Sequence, residues 1–125
     1  MGQTKDLVPL GLVPELAKRL GWEIQSKTTT ASTQGSAGGL LTNPGNKLVL
    51  ANVAGASGAI TMPSNADIGD MVLVSNITAT AGLIFPQTGG TLQNAGANAS
   101  AALPANGSML LVKATATNWR THLSA

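Results

Sequence analysis

Residues 59–76 read AITMPSNADIGDMVLVSN and carry the clearest structural signal in the chain. Two apolar runs, residues 59–62 and 71–76, each have the length of a β-strand. The residues between them are rich in Pro, Ser, Asn, Asp and Gly, which favour turns and loops. This stretch therefore predicts two strands separated by an irregular connection.

The same alternation of apolar runs and turn clusters extends over residues 47–125. Short spacing between strands, about 8 to 12 residues, is typical of a sandwich or a barrel. We therefore predict an all-β fold, a small β-sandwich or barrel of the jelly-roll or tulip-like kind. No internal repeat with a fixed period of about 20 to 50 residues is found. The further predicted strands are residues 47–53, 82–85, 99–103, 109–115 and 118–122.

A short helix is predicted near the N-terminus, at residues 13–21. Pro14 suits the first helical position, and Gly21 can adopt the left-handed conformation that ends a helix. Lys18 and Arg19 complement the negative C-terminal end of the helix dipole. Because these signals agree, the predicted fold includes a short N-terminal helix and arm ahead of the β domain.

The predicted helix carries one narrow apolar stripe, because leucine recurs at every fourth position. A helix of this length is not stable alone in water, so the stripe has to pack against another surface. That surface can belong to its own β domain, to a sister subunit or to another protein. The candidate partner-binding residues are Leu12, Leu16, Lys18, Arg19, Leu20 and Trp22.

The distribution of charge divides the chain into regions. Residues 1–27 hold seven charged side chains, and all later positions together hold five. We interpret residues 1–27 as an N-terminal arm, residues 28–46 as a Thr/Ser/Gly-rich linker or edge strand, and residues 47–125 as the β domain. No charged residue lies between Met71 and Val112. A surface that faces water on every side is rarely so neutral, which indicates self-association.

The composition argues against several functional classes. Charged residues make up 10% of the chain, below the typical value of about 25%, and the net charge is +2. So small a positive excess does not form the basic patch that nucleic-acid binding needs. The chain has no cysteine for a disulfide or a thiolate metal site, and no apolar run approaches the length of a membrane span.

Few side chains of the β domain are suited to catalysis. Asp67, Asp70 and His122 are its candidates for acid–base chemistry. The two aspartates flank a turn, where such side chains commonly bond the backbone. Zinc sites use several His, Cys or carboxylate ligands, and the chain has one histidine and no cysteine, which argues against such a site. We predict that the chain is not an enzyme and that it has no catalytic residue, cofactor or metal site.

Several segments resemble a pattern that is widespread in small virion proteins of tailed phages. In that pattern a strand ends in Pro, a Gly-Asp turn leads into a strand that closes in Asn, a Pro and Gly-Gly turn follows, and the terminal strand carries Trp. Residues 13–21, VPELAKRLG, also resemble the opening segment of such proteins. The matching segments are ITMP at 60–63, ADIGDMVLVSN at 66–76, LIFP at 83–86, GGTLQN at 89–94 and NWR at 118–120.

The proteins that show this pattern are capsid decoration proteins, also called cement or head fibre proteins. The resemblance implies a homotrimer bound to the outer surface of the major capsid protein shell, located on the virion and assembled in the host cytoplasm. A partner that binds only the assembled shell stabilises that shell by mass action. Neither nucleic acid nor a membrane is expected as a partner.

A second reading is a receptor- or glycan-binding module of a phage tail fibre or tailspike. Loops at residues 55–58 or 89–96 would then bind a cell-surface sugar. The chain holds one Phe, two Trp and no Tyr, which argues against stacking on sugar rings. A third reading is a small hydrolase that depends on His122.

Overall fold

A computed structural model describes residues 22–124 of the 125-residue chain. The predicted helix at 13–21 lies outside the described residues. The same is true of the candidate partner-binding residues Leu12, Leu16, Lys18, Arg19 and Leu20. Of that set, the structure places Trp22 alone.

The described residues form nine strands and one short 3₁₀ turn, so the all-β prediction is confirmed. The predicted strands agree with the observed ones to within a few residues, and two strands, β1 and β6, lie outside them. The strands are β1 (Glu23–Thr29), β2 (Lys47–Val53), β3 (Ala59–Thr61), β4 (Met71–Asn76), β5 (Gly82–Phe85), β6 (Thr91–Leu92), β7 (Ala101–Leu103), β8 (Ser108–Lys113) and β9 (Asn118–Ser124). The 3₁₀ turn is Ala37–Gly39.

The strands make two sheets that enclose one core, and this arrangement is a β-sandwich. The large sheet has six strands in the order β1-β2-β4-β8-β9-β6, and the small sheet has three in the order β3-β5-β7. Val72 and Leu111 of the large sheet share one buried cluster with Ile60 and Ile84 of the small sheet. Trp119 on β9 is the largest side chain in that cluster and is fully buried.

The first half of the sandwich is a coil of parallel strands. The chain alternates between the sheets through β2, β3, β4 and β5, so each strand lies parallel to the one before last. In the register, Glu23 pairs with Lys47 and Lys47 with Val72, which sets an interval of about 24 residues per turn of the coil. Jelly rolls are antiparallel, so this pairing differs from that of a jelly roll. Crossing to the opposite sheet after every strand excludes the hairpins that antiparallel neighbours need.

The second half of the sandwich is mainly antiparallel. Strand β8 lies between β4 and β9 and is antiparallel to both, and β7 is antiparallel to β5. The two-residue strand β6 closes the far edge of the large sheet by pairing in parallel with β9.

The boundary predicted between the arm, residues 1–27, and the linker, residues 28–46, falls inside a strand. Residues 23–29 form β1, so this strand joins the end of the arm at 1–27 to the start of the segment at 28–46. The remainder of that segment crosses to the small sheet, where Leu40 forms a bridge with Thr61. Leu41 is 1% exposed and belongs to the main core. The segment is therefore an integral part of the sandwich.

Candidate functional site

The large sheet is apolar on both of its faces. Side chains alternate between faces along a strand, so Val49 and Val74 point into the core while Leu48 and Leu73 point the other way. We call the side that carries Leu48 and Leu73 the outer face. These two leucines form a second apolar cluster with Trp22 and three neighbours, Ile24, Leu50 and Leu110.

The outer cluster is built by the register of four neighbouring strands. Ile24 pairs with Leu48, Leu48 with Leu73, and Leu73 with Leu110, which places one leucine or isoleucine from each of β1, β2, β4 and β8 in a single row. Leu48 and Leu73 are 2% and 5% exposed, whereas Trp22 is only half-buried. The predicted contact residue Trp22 thus lies at one end of an apolar surface.

The outer face is also free of charge on these four strands. Lys113 on β8 alternates onto the inner face, where its Nζ donates a hydrogen bond to the Ala66 carbonyl at 2.8 Å. Among the described strands of this sheet, an outward charged side chain is found on β9, where Arg120 pairs with Val112; the next outward residue, His122, pairs with Leu110. The outward-facing positions of the four strands are Ile24, Ser26, Thr28, Leu48, Leu50, Asn52, Met71, Leu73, Ser75, Ser108, Leu110 and Val112.

Asp67 and Asp70 form a turn in which the carboxylate of Asp70 holds backbone groups. Its Oδ2 accepts hydrogen bonds from the amides of Gly45 at 2.7 Å and Asp67 at 2.9 Å. His122 is exposed on β9. Within residues 22–124 no group of three His, Asp or Glu side chains is placed so that it could hold a metal ion.

Lys47 supports the loop before β2 from within. Its Nζ donates hydrogen bonds to the carbonyls of Asn43 at 2.7 Å and Gly45 at 2.9 Å. Burial lowers the pKa of Lys47 below the usual 10.5, and the negative charges of Glu23 and Asp70 offset part of that effect. The Lys47 side chain therefore stabilises the loop through these two hydrogen bonds.

This lowered pKa predicts a dependence of stability on pH. Between the lowered pKa of Lys47 and 10.5, the unfolded chain still holds a proton that the folded chain has released. The free energy of unfolding should therefore rise with pH across this range. Urea unfolding at several pH values should show a steeper rise for the wild type than for Lys47→Met. Equal slopes for the two proteins would contradict the prediction.

A pocket of about 410 Å³ lies at the carboxyl ends of the parallel strands β3 and β5. Their ends meet because the strands run in the same direction, and the Met62 amide donates a hydrogen bond to the Phe85 carbonyl at 3.0 Å. The connection between β1 and β2 closes the third side, where Gln34 Nε2 donates to the Pro86 carbonyl at 2.8 Å. Leu40, Leu41 and Met62 provide the apolar part of the wall.

The polar part of the pocket wall is neutral. It comes from four residues with hydroxyl groups and one with an amide, and no charged residue in the described part of the chain lines the pocket. The sequence pointed instead to loops at 55–58 and 89–96, neither of which contributes a lining residue. The lining residues come from three separate segments of the chain, so no local sequence motif predicts them. The five polar residues are Thr42, Thr61, Ser64, Gln87 and Thr88.

Gln87 connects this pocket to the core. The Nε1 atom of Trp119 donates a hydrogen bond to Gln87 Oε1 at 2.8 Å. The indole nitrogen can only donate a hydrogen bond, so the oxygen of the Gln87 amide must face Trp119. The Nε2 atom of the same amide then points away from the indole. Gln87 is 7% exposed, and its amide packs against Gly90, where a Cβ would lie 2.6 Å from the amide carbon. The side chain is therefore held in one orientation.

Comparison with known proteins gave no match to a family model and no match to a curated protein. In the described part of the chain, no helix is both long enough and apolar enough to cross a membrane.

Proposed function

We propose that the chain is a structural protein of a phage virion that decorates the capsid. As a homotrimer it binds the outer surface of the major capsid protein shell and stabilises that shell. It acts without catalysis or a cofactor, and nucleic acid and membranes are not its partners. The observation that carries the proposal is the outer face of β1, β2, β4 and β8, which bears an apolar cluster and no outward charged side chain.

A sheet that is apolar on both faces needs a cover on both. The small sheet covers the inner face. On the outer face Leu48 and Leu73 are already shielded from water, whereas the neighbours that pack against them are only partly buried and leave apolar surface open to a partner. We assign this role to a second copy of the chain. Identical surfaces repel when they carry like charges, and no charged side chain points outward from β1, β2, β4 or β8. Association would also remove the half-buried side chains of Leu50 and Leu110 from water.

The arm of residues 1–27 is the proposed contact with the capsid protein. The first described strand, β1, begins at Glu23, so the proposed contact residues other than Trp22 can be removed without deleting a described strand. Leu12, Leu16, Lys18, Arg19, Leu20 and Trp22 are the proposed contact residues. The resemblance of residues 13–21 to the opening segment of decoration proteins supports the same assignment.

Self-association can be tested by size-exclusion chromatography with light scattering. We expect a trimer for the wild type and a monomer for Leu110→Lys, because the substitution places a charge in the outer cluster. His122→Lys is the matched control, since His122 pairs with Leu110 in the register but lies outside the cluster. The control should remain trimeric. A wild-type chain that is monomeric at micromolar concentration would refute the proposed assembly.

Binding to the shell can be tested by sedimentation with phage capsids that lack a decoration protein. The wild type should pellet with the capsids, and a variant without residues 1–21 should stay in the supernatant. Strand β1 remains intact in this variant because it begins at Glu23, so circular dichroism should show an unchanged β spectrum. A variant without residues 1–11 retains the candidate contact residues and should still bind. Full binding by the longer deletion would show that the arm is not the contact.

The alternative function is that of a receptor- or glycan-binding module of a tail fibre or tailspike. The neutral pocket at the ends of β3 and β5 favours this alternative. Immunogold labelling of virions distinguishes the two, because a decoration protein labels the head and a fibre module labels the tail.

A further inference from the structure

We propose that the pocket at the carboxyl ends of β3 and β5 binds a neutral saccharide unit, with an acceptor oxygen of the sugar placed against Gln87 Nε2. This inference does not depend on the proposed role as a decoration protein. It assigns a ligand site to residues that the sequence patterns did not single out.

The first support is an unused hydrogen-bond donor in a buried side chain. Gln87 is 7% exposed, so more than nine-tenths of the side chain is buried. Its Oε1 accepts a hydrogen bond from the Trp119 indole. No described residue accepts a hydrogen bond from Nε2, and Gln87 is one of the residues that line the pocket. Buried polar groups are normally paired, and an unpaired donor in a pocket wall indicates a place for a ligand or water.

A second donor lies in the same wall. Thr61 is 2% exposed, and its Oγ1 accepts a hydrogen bond from the Gly35 amide at 2.8 Å. A hydroxyl group both accepts and donates, and no described residue accepts the Thr61 hydroxyl hydrogen. Gln87 and Thr61 thus present two donors from neighbouring strand ends, which suits a ligand rich in acceptor oxygens.

The character of the lining decides the class of ligand. A charged ligand would be left without a counter-charge, because none of residues 22–124 that line the pocket is charged. Hydroxyl and amide side chains can donate and accept alternately, as sugar hydroxyls do. Peptides commonly bind by adding a strand to a sheet edge, whereas this pocket is a concave site between loops. A volume of about 410 Å³ falls in the lower part of the range of small-ligand sites, about 300 to 1,000 Å³.

The expected affinity is low. The pocket has no aromatic ring for a sugar to stack on, and a small ligand with a few hydrogen bonds reaches a Kd on the order of 1 mM. Several copies held in one assembly would raise the apparent affinity for a polymeric glycan through multivalency.

The site can be tested by NMR titration of the full-length, ¹⁵N-labelled chain. Glucose and N-acetylglucosamine serve as neutral probes, glucuronic acid and glucosamine as charged analogues, and N-methylacetamide as a mimic of a peptide group. We expect at least one neutral sugar to shift the Gln87 side-chain amide and the backbone amides of Gly35 and Thr88 in a saturable manner. The charged analogues and N-methylacetamide should bind at least tenfold more weakly.

Variants localise the binding. Gln87→Glu keeps an oxygen for the Trp119 indole but loses the Nε2 donor, so the affinity should fall at least tenfold. Thr88→Val should lower the affinity severalfold. This variant changes an exposed residue that makes no side-chain hydrogen bond within the described chain, and so it remains informative if Gln87→Glu does not fold. The matched control is Thr117→Val, an exposed threonine that does not line the pocket, and it should bind like the wild type.

Three results would overturn the inference. The first is the absence of saturable shifts with every neutral sugar, and the second is unchanged sugar binding in both pocket variants. The third is tighter binding of N-methylacetamide than of any sugar, which would identify a peptide site. None of these results bears on whether the chain labels the phage head or pellets with capsids, so the two proposals fail independently.

Discussion

Replacement of Trp119 by alanine is expected to lower the free energy of unfolding by about 3 to 5 kcal/mol. Trp119 is fully buried at the centre of the main cluster, and its removal leaves a cavity between the two sheets. It also removes the hydrogen bond from Nε1 to Gln87 Oε1, so a buried amide oxygen loses its partner. A domain of this size has a total stability of about 5 to 15 kcal/mol, and the variant is therefore close to unfolding.

The measurement is urea unfolding followed by circular dichroism at one protein concentration, since self-association would shift the midpoint. Trp119→Phe should cost less than Trp119→Ala because it keeps most of the ring volume. Leu123→Ala, on the same strand, is the control, and it should cost about 1 kcal/mol or less because Leu123 is 49% exposed. A cost for Trp119→Ala as small as that of the control would mean that Trp119 does not support the core.

Replacement of Gly39 by alanine is the second change with a large expected effect, about 3 kcal/mol of destabilisation. Gly39 is buried in the 3₁₀ turn, and a Cβ at this position would lie 1.8 Å from the carbonyl oxygen of Ala59. Two stretches of backbone would have to separate, because the obstructing atoms are not part of a flexible side chain. The adjacent hydrogen bond from the Leu41 amide to the Thr61 carbonyl, 3.0 Å long, would be disturbed as well.

Gly96→Ala is the matched control for this prediction. A Cβ at Gly96 would meet nothing within 4 Å, and the backbone there does not adopt a positive φ. The control should therefore be neutral or gain up to about 1 kcal/mol, since alanine restricts the unfolded chain. The unfolding temperatures of Gly39→Ala and Gly96→Ala, each compared with that of the wild type, would test this prediction. Equal stability of the two would show that the turn does not press against β3.

Much of the strand assignment follows from local pattern. The runs at 47–53, 71–76 and 82–85 coincide with β2, β4 and β5, because apolar residues bounded by Pro, Gly and Asn leave few other structures open. Strand β1 was harder to detect, since its sequence EIQSKTT is largely polar and lies at a sheet edge. The two-residue strand β6 is too short to leave a pattern.

The site residues divide in a similar way. Trp22 is a predicted contact residue and packs against the outer apolar cluster, and its part in binding a partner stays a prediction. Asp67 and Asp70 were interpreted as turn residues, and the Asp70 carboxylate binds two backbone amides. The pocket around Gln87 could not be predicted, because its walls come from the β1–β2 connection and from the ends of β3 and β5.

The all-β character of this chain, the position of most of its strands and the concentration of charge in the first 27 residues can all be predicted from the amino-acid order. These properties depend on local composition, such as the alternation of MVLVSN with turn residues. The parallel coiling of the strands between two sheets and the lack of charge on the outer face of four strands are visible only in the folded chain. The same is true of the contact between Gln87 and Trp119, which spans 32 positions of the chain. Pairing partners and shared faces depend on contacts between residues far apart in sequence, and local pattern cannot specify those contacts.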